Sequence, residues 1–217
     1  MIFPLLLGVV GAAVLISLGV WQMQRLEWKQ GILDEIDAQI TGPAIALPVN
    51  ADPETHRYAP VELTGTIGRP EIPVLVSVKR VGPGYRLIVP FETGGRRILL
   101  DQGFIPLEAK DTERPAKQVT LRGNLHWPDE IDSYTPDNDL AANIWFSRDV
   151  PTLAAALNTE PLMVIAATQT DPSVTPLPLD SNAIPNDHLN YAITWFSLAV
   201  VWLGMTAFLL WRIRRTT

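Results

Sequence analysis

His188 is followed by Tyr191, Trp195 and Trp202, at offsets of three, seven and fourteen residues. On a helix of 3.6 residues per turn these positions fall on one face. An imidazole beside flat aromatic rings offers an axial nitrogen and an apolar slot, which are the two things a metalloporphyrin needs. Pro185-Asn186-Asp187 precedes the histidine, with Asn186 or Asp187 placed to cap the helix that His188 would begin. An interfacial histidine in an ordinary aromatic belt explains the same spacing more economically. One histidine alone is weak support for a metal.

A second group lies near the other end of the chain. Trp21, Gln22, Arg25 and Trp28 stand at offsets of one, four and seven, again close to one helical face. Arg25 lies four residues beyond Trp21, and His188 three before Tyr191. If the two helices are antiparallel neighbours, both groups sit about 5 Å outside the apolar stretches they adjoin. Arg25 could then pair with a carboxylate at the level of His188. The plainer reading is a positive stop beside an apolar span.

Elsewhere the chemistry is thin. Gly82-Pro83-Gly84 and Gly94-Gly95 are the glycine clusters, and neither opens a helix followed by Lys-Ser/Thr, so hairpin turns explain them better than a phosphate loop. Asp129, Glu130 and Asp132 lack the oxygen-rich spacing of a calcium loop. Met1, Met23, Met163 and Met205 are scattered, which gives a copper-thioether site no support. The chain has no cysteine, which excludes disulfides, thiolate metal sites and thiol redox chemistry. No acid, base or nucleophile constellation is visible, and the protein is not expected to be an enzyme.

The elements that must position His188 and Arg25 announce themselves through charge. No Lys, Arg, Asp or Glu occurs from Met1 to Gln24 or from Leu189 to Trp211. The apolar stretches Ile2–Trp21 and Tyr191–Trp211 each match the roughly 20 helical residues that cross a hydrocarbon core of about 30 Å. A backbone in lipid must satisfy its own hydrogen bonds, so both are read as helices. All 23 acidic residues and 14 of the 17 basic ones lie between, leaving that segment at −9 and excluding nucleic acid as a partner. Arg212, Arg214 and Arg215 follow the second span directly. They lead to the expectation that both termini lie in the cytoplasm and the central domain in the periplasm or an equivalent space, although Arg25 and Lys29 beside the first span pull the other way.

The organisation expected is a first transmembrane helix over 1–24, a helical stalk over 25–42, a periplasmic β-rich domain over 43–184, a second transmembrane helix over 185–211 and a cytoplasmic tail over 212–217. The stalk rests on the helical stripe Leu26, Leu33, Ile36 and Ile40. In the domain, Val61–Thr64, Ile72–Val78, Tyr85–Phe91, Arg97–Asp101, Val119–Leu125 and Met163–Ala167 read as strands. Asp149, Pro151 and Leu153–Leu157 read as one short capped helix. The fold class predicted is a membrane α-helical hairpin plus a mainly antiparallel β domain, barrel or sandwich, with a short helix.

Several motifs carry a more specific resemblance. They are Leu18-Gly19-Val20-Trp21-Gln22-Met23-Gln24-Arg25-Leu26-Glu27-Trp28-Lys29, Val61-Glu62-Leu63-Thr64-Gly65, Gly84-Tyr85-Arg86 before Val89-Pro90-Phe91, Leu100-Asp101-Gln102-Gly103-Phe104-Ile105-Pro106, and Asn186-Asp187-His188-Leu189-Asn190-Tyr191-Ala192-Ile193-Thr194-Trp195-Phe196. In this order, over nearly the whole chain, they resemble the Surfeit-locus family of cytochrome c oxidase assembly factors, the Shy family of yeast. The resemblance implies a two-span protein that assists delivery of haem a into the catalytic subunit of a haem-copper oxidase. It implies that subunit as partner, with haem A synthase as a second candidate and membrane lipid around the spans. It also implies His188 as the residue that takes the haem iron; the shared helical face adds Tyr191 and Trp195 to the expected site, and the matching height adds Arg25. The rival it leaves is a structural chaperone that stabilises the catalytic subunit without binding haem.

Overall fold

A computed structural model describes residues 2–181 and 184–216. In chain order the elements are α1 (Ile2–Thr41), α2 (Pro53–His56), β1 (Pro60–Ile67), β2 (Ile72–Val78), β3 (Gly82–Thr93), β4 (Arg96–Pro106), a 3-10 turn (Leu107–Ala109), β5 (Lys117–His126), α3 (Val150–Leu157), β6 (Met163–Ala166) and α4 (His188–Thr216). They divide into two compact units. One holds the helical residues up to Ile36 together with those from Ser181 onward, and the other is Asp37–Asp180.

The first unit is a pair of helices, each long and apolar enough to cross a membrane. They run antiparallel, since Gly8 meets Thr206, Gly11 meets Trp202 and Gly19 meets Phe196. Small residues make this approach possible. A Cβ at Gly11 would lie 2.5 Å from Trp202 Nε1, and one at Gly19 would lie 2.6 Å from Phe196 Cε1. Ala12, Ala192 and Ala199 are buried in the same seam. Close backbone approach between small residues is the main source of attraction once both helices are in lipid, where burying apolar surface gains little. Gly204 of α4 lies outside this seam, since a Cβ there would meet only open space.

The second unit is a closed sheet. Its strands are ordered β1-β5-β6-β4-β3-β2, and β1 also pairs with β3 at Thr66–Glu92 and Ile67–Phe91. Closure removes the free edges that β1 and β3 would otherwise present. Every pairing is antiparallel except β4–β6. Side chains alternate between the two faces, as a strand requires. Leu87, Val89 and Phe91 of β3, with Ile98 and Leu100 of β4, fill the barrel. Their neighbours Ile88 and Leu99 point outward beneath α3 and Trp145. The middle strands are thus buried on both faces, which explains their nearly continuous apolar runs.

Local signals place the rest. Asp149 caps α3 by accepting from Thr152 N, and Pro151 sits in its first turn. The β2–β3 reversal falls at Lys79–Val81, with Arg80 at φ 70°, and Gly82-Pro83-Gly84 already belongs to β3. Between β3 and β4 the register shifts from Arg86–Phe104 to Ile88–Asp101, so β4 carries one extra residue. Gly103 absorbs that bulge at φ 119°, and a Cβ there would collide with the Thr175 carbonyl.

Candidate functional site

His188 is the first residue of α4, and its ring is half-buried. Its Nδ1 lies 2.7 Å from the side-chain oxygen of Gln22 on α1. Gln22 is 9% exposed, although it is an amide on a helix otherwise rich in exposed apolar residues. It continues the seam of Gly8, Ala12 and Gly19, at offsets of four, seven and three residues. A buried amide is costly unless it is hydrogen-bonded, and His188 supplies that bond. Among the described residues, His188 Nε2 has no hydrogen-bond partner. Nearby, Lys29 Nζ donates to the carbonyl of Pro185, just before α4 begins.

The other residues singled out in the sequence are placed differently. Trp195 is partly buried, in line with Ala192 and Ala199 on the face that meets α1. Tyr191 is 57% exposed and lies at the edge of that face. Trp202 lies well inside the helix pair, where its Nε1 donates to Gly8 O at 3.0 Å. Arg25 is exposed, and its guanidinium stands 4.7 Å from the Trp28 ring centre. It forms no ion pair among the described residues. An open groove of about 870 Å³ runs along α1, with Val20, Met23, Leu26, Glu27 and Leu189 in its walls. His188 and Gln22 are therefore brought together, while Tyr191 and Arg25 are left open at the surface. No cluster of three or more His, Asp or Glu able to hold a bare metal ion occurs among the described residues.

The β unit holds a second polar centre, one that spacing along the chain does not reveal. Asp101 is fully buried at the β4 bulge. Its Oδ2 accepts from Arg86 Nε at 2.7 Å and from Arg148 at 3.2 Å, and its Oδ1 accepts from Gly103 N. Arg86 also donates to the Leu177 carbonyl, which ties down the segment following β6. Arg148 pairs with Glu130 as well, which closes the long loop between β5 and α3. Burial raises the Glu130 pKa, but the hydrogen bonds and charge of Arg148 outweigh this and leave it below the usual range. One carboxylate thus fastens two irregular segments to the barrel. The sequence does contain the signal: an acidic residue inside Ile98-Leu99-Leu100-Asp101 must be paired if that strand is buried.

His126 ends β5 beside this network. Its ring stacks on Tyr58 with centres 5.4 Å apart, and its Nδ1 is buried without a partner among the described residues. Burial pushes its pKa down to about 4, helped by the positive charges of Arg148, Arg57 and Arg86 against the opposing Glu130. It stays neutral at physiological pH.

A closed β unit set in sequence between two helices of bilayer length defines a membrane-hairpin class, with inter-helix polar contacts at the His188–Gln22 and Trp202–Gly8 pairs. Within that class the assignment is specific. The model of the SURF1 family matches residues 9–200, and the chain belongs to that family. It is similar to a SURF1-like protein of Rickettsia felis, with 33% identity over 86% of this chain and 88% of the relative. A SURF1-like protein of Monosiga brevicollis is 31% identical over 90% of this chain and 83% of its own length. Surfeit locus protein 1 of Homo sapiens is 25% identical over 84% and 69%.

Proposed function

We propose that this protein is an assembly factor for a haem-copper cytochrome c oxidase and that it carries haem a transiently on His188 toward the catalytic subunit. Membership of the SURF1 family supports the assembly role. The observation that carries the haem reading is the state of His188. Its ring is half-buried at the start of α4, Nδ1 is engaged by Gln22 and Nε2 has no protein partner among the described residues.

The surrounding residues fit a metalloporphyrin. The group would supply an iron that binds a nitrogen donor, which the neutral imidazole of His188 could provide. Trp195 and Tyr191 offer flat surfaces on the same helix, and the groove beside Leu189 is mostly apolar. Arg25 is an exposed cation one helical turn beyond Gln22, suited to a propionate. The protein contributes a single ligand from one helix, so the cargo is held without being enclosed, as delivery requires. On this reading α1 and α4 cross a bacterial inner membrane, with Arg212, Arg214 and Arg215 cytoplasmic and the β unit periplasmic.

The test is to purify the full chain from cells that make haem a and record its absorption spectrum. Wild type should retain haem, and His188→Ala should lose most of it while remaining folded in the membrane fraction. Oxidase from the variant strain should be haem-deficient. Unchanged haem content in both the carrier and the oxidase would overturn the ligand role.

A further inference from the structure

We infer that Gln22 is a positioning residue for His188: by accepting from Nδ1–H it holds the imidazole in the tautomer whose lone pair is on Nε2. The inference rests on the reading of His188 as a ligand, and it concerns a different residue with its own observable.

The argument begins with the two groups. The side-chain oxygen of Gln22 can only accept, and it lies 2.7 Å from Nδ1. The proton of a neutral ring must then sit on Nδ1, which leaves Nε2 unprotonated. That is the form able to enter a metal coordination sphere, and an acceptor on the opposite nitrogen is the usual way to fix it. Without such an acceptor an imidazole in water favours the other tautomer, with its proton on Nε2.

The location of Gln22 makes the contact selective. The seam positions before it on α1 are Gly8, Ala12 and Gly19, all small enough to let α4 approach. At the next position of that stripe a long amide replaces a small residue: Gln22 is 9% exposed, and among the described residues its side-chain oxygen meets His188 alone. Packing of this seam therefore sets the height at which the ring is held. Gln22 is also a neutral acceptor. A carboxylate there would draw the Nδ1 proton more strongly and make Nε2 a stronger donor, whereas an amide leaves the axial bond weaker. A carrier that must release its cargo is served by the weaker bond.

The experiment uses the full chain in lipid nanodiscs, labelled with ¹⁵N-histidine and free of haem. Of the three histidines, the His188 signals are identified by their loss in His188→Ala. Wild type should give an Nδ1–H tautomer for His188, and Gln22→Leu should shift it toward Nε2–H. Gln22→Glu, which restores an acceptor, should return it to Nδ1–H. Titration with haem should show affinity about 10-fold weaker in Gln22→Leu and at least as tight as wild type in Gln22→Glu. A wild-type Nε2–H tautomer, or a tautomer unmoved in Gln22→Leu, overturns the role of Gln22. The expected tautomers with no haem binding to any form would uphold the Gln22–His188 coupling and refute the haem reading instead.

Discussion

The indole of Trp202 reaches across the helix pair to the backbone of Gly8. Its Nε1 donates to the Gly8 carbonyl at 3.0 Å, and its ring occupies the space that a side chain at Gly11 would need. The tryptophan near the middle of the second apolar stretch is thus spent on the neighbouring helix. It is the wedge around which the small residues of α1 are arranged.

Gly11 should therefore be intolerant of bulk. Gly11→Leu is expected to force the helices apart, with a cost on the order of 1–3 kcal/mol from overpacking. The native chain has no cysteine, so paired substitutions report cleanly. Gly8→Cys with Thr206→Cys should cross-link within one molecule and stop doing so once Gly11→Leu is added. Persistent cross-linking would mean that the Trp202 contact does not hold the pair.

Asp101→Asn should destabilise the β unit by about 3–5 kcal/mol, because it takes the buried counter-charge from Arg86 and leaves Arg148 with Glu130 alone. Hydrogen exchange in the full chain should accelerate first around Leu177 and in the loop preceding α3, since these are the segments the network fastens. Uniform acceleration across the barrel would contradict that local role.

His126 gives the β unit an acid-sensitive component with a definite sign. Its pKa is about 4 in the folded state, below its ordinary value of about 6.5. Between these values the unfolded chain binds the extra proton, so stability falls as pH drops from about 6.5 toward 4. Tyr58 stacks on the ring, and Arg148, Arg57, Glu130 and Arg86 set the local charge. His126→Gln should flatten that part of the pH–stability curve in chemical denaturation. The same slope in both proteins would assign the acid sensitivity to another group, and not to Asp171, whose contribution is lost only below about pH 4. Burial opposes ionisation there, but bonds from Lys117 and Ser173 prevail and hold its pKa near 2.

Arg25→Ala should weaken haem retention far less than His188→Ala. Arg25 is exposed, and an exposed ion pair contributes only about 0–1 kcal/mol. Spectral titration of both variants checks the ranking, and an equal loss would move Arg25 to the centre of the site.

Much of the fold was legible because strong local signals agreed with it. The strands at Ile72–Val78 and Met163–Ala166, and the Asp149 cap of α3, follow from composition and capping. Closure of the sheet was not legible, since it depends on two residue pairs, Thr66–Glu92 and Ile67–Phe91, far apart in the chain. Helical spacing singled out His188, but it could not say that Ala192 and Ala199 would define the packed face and leave Tyr191 at its edge. Helical spacing puts Gln22 on one face with Trp21, Arg25 and Trp28, but nothing in the chain announces which amide will meet which ring. The Arg86–Asp101–Arg148–Glu130 network unites residues from three separate segments, and sequence distance hides such a meeting.

Strand order also dictates a timetable. β6 is the last strand to leave the ribosome, and it lies between β5 and β4, both made earlier. Until Met163–Ala166 are available, those two neighbours have unsatisfied backbone edges facing one another. The barrel therefore stays unsealed until β6 emerges, and a nascent chain stalled before Met163 should be markedly more prone to strand-mediated aggregation than one released just beyond Ala166.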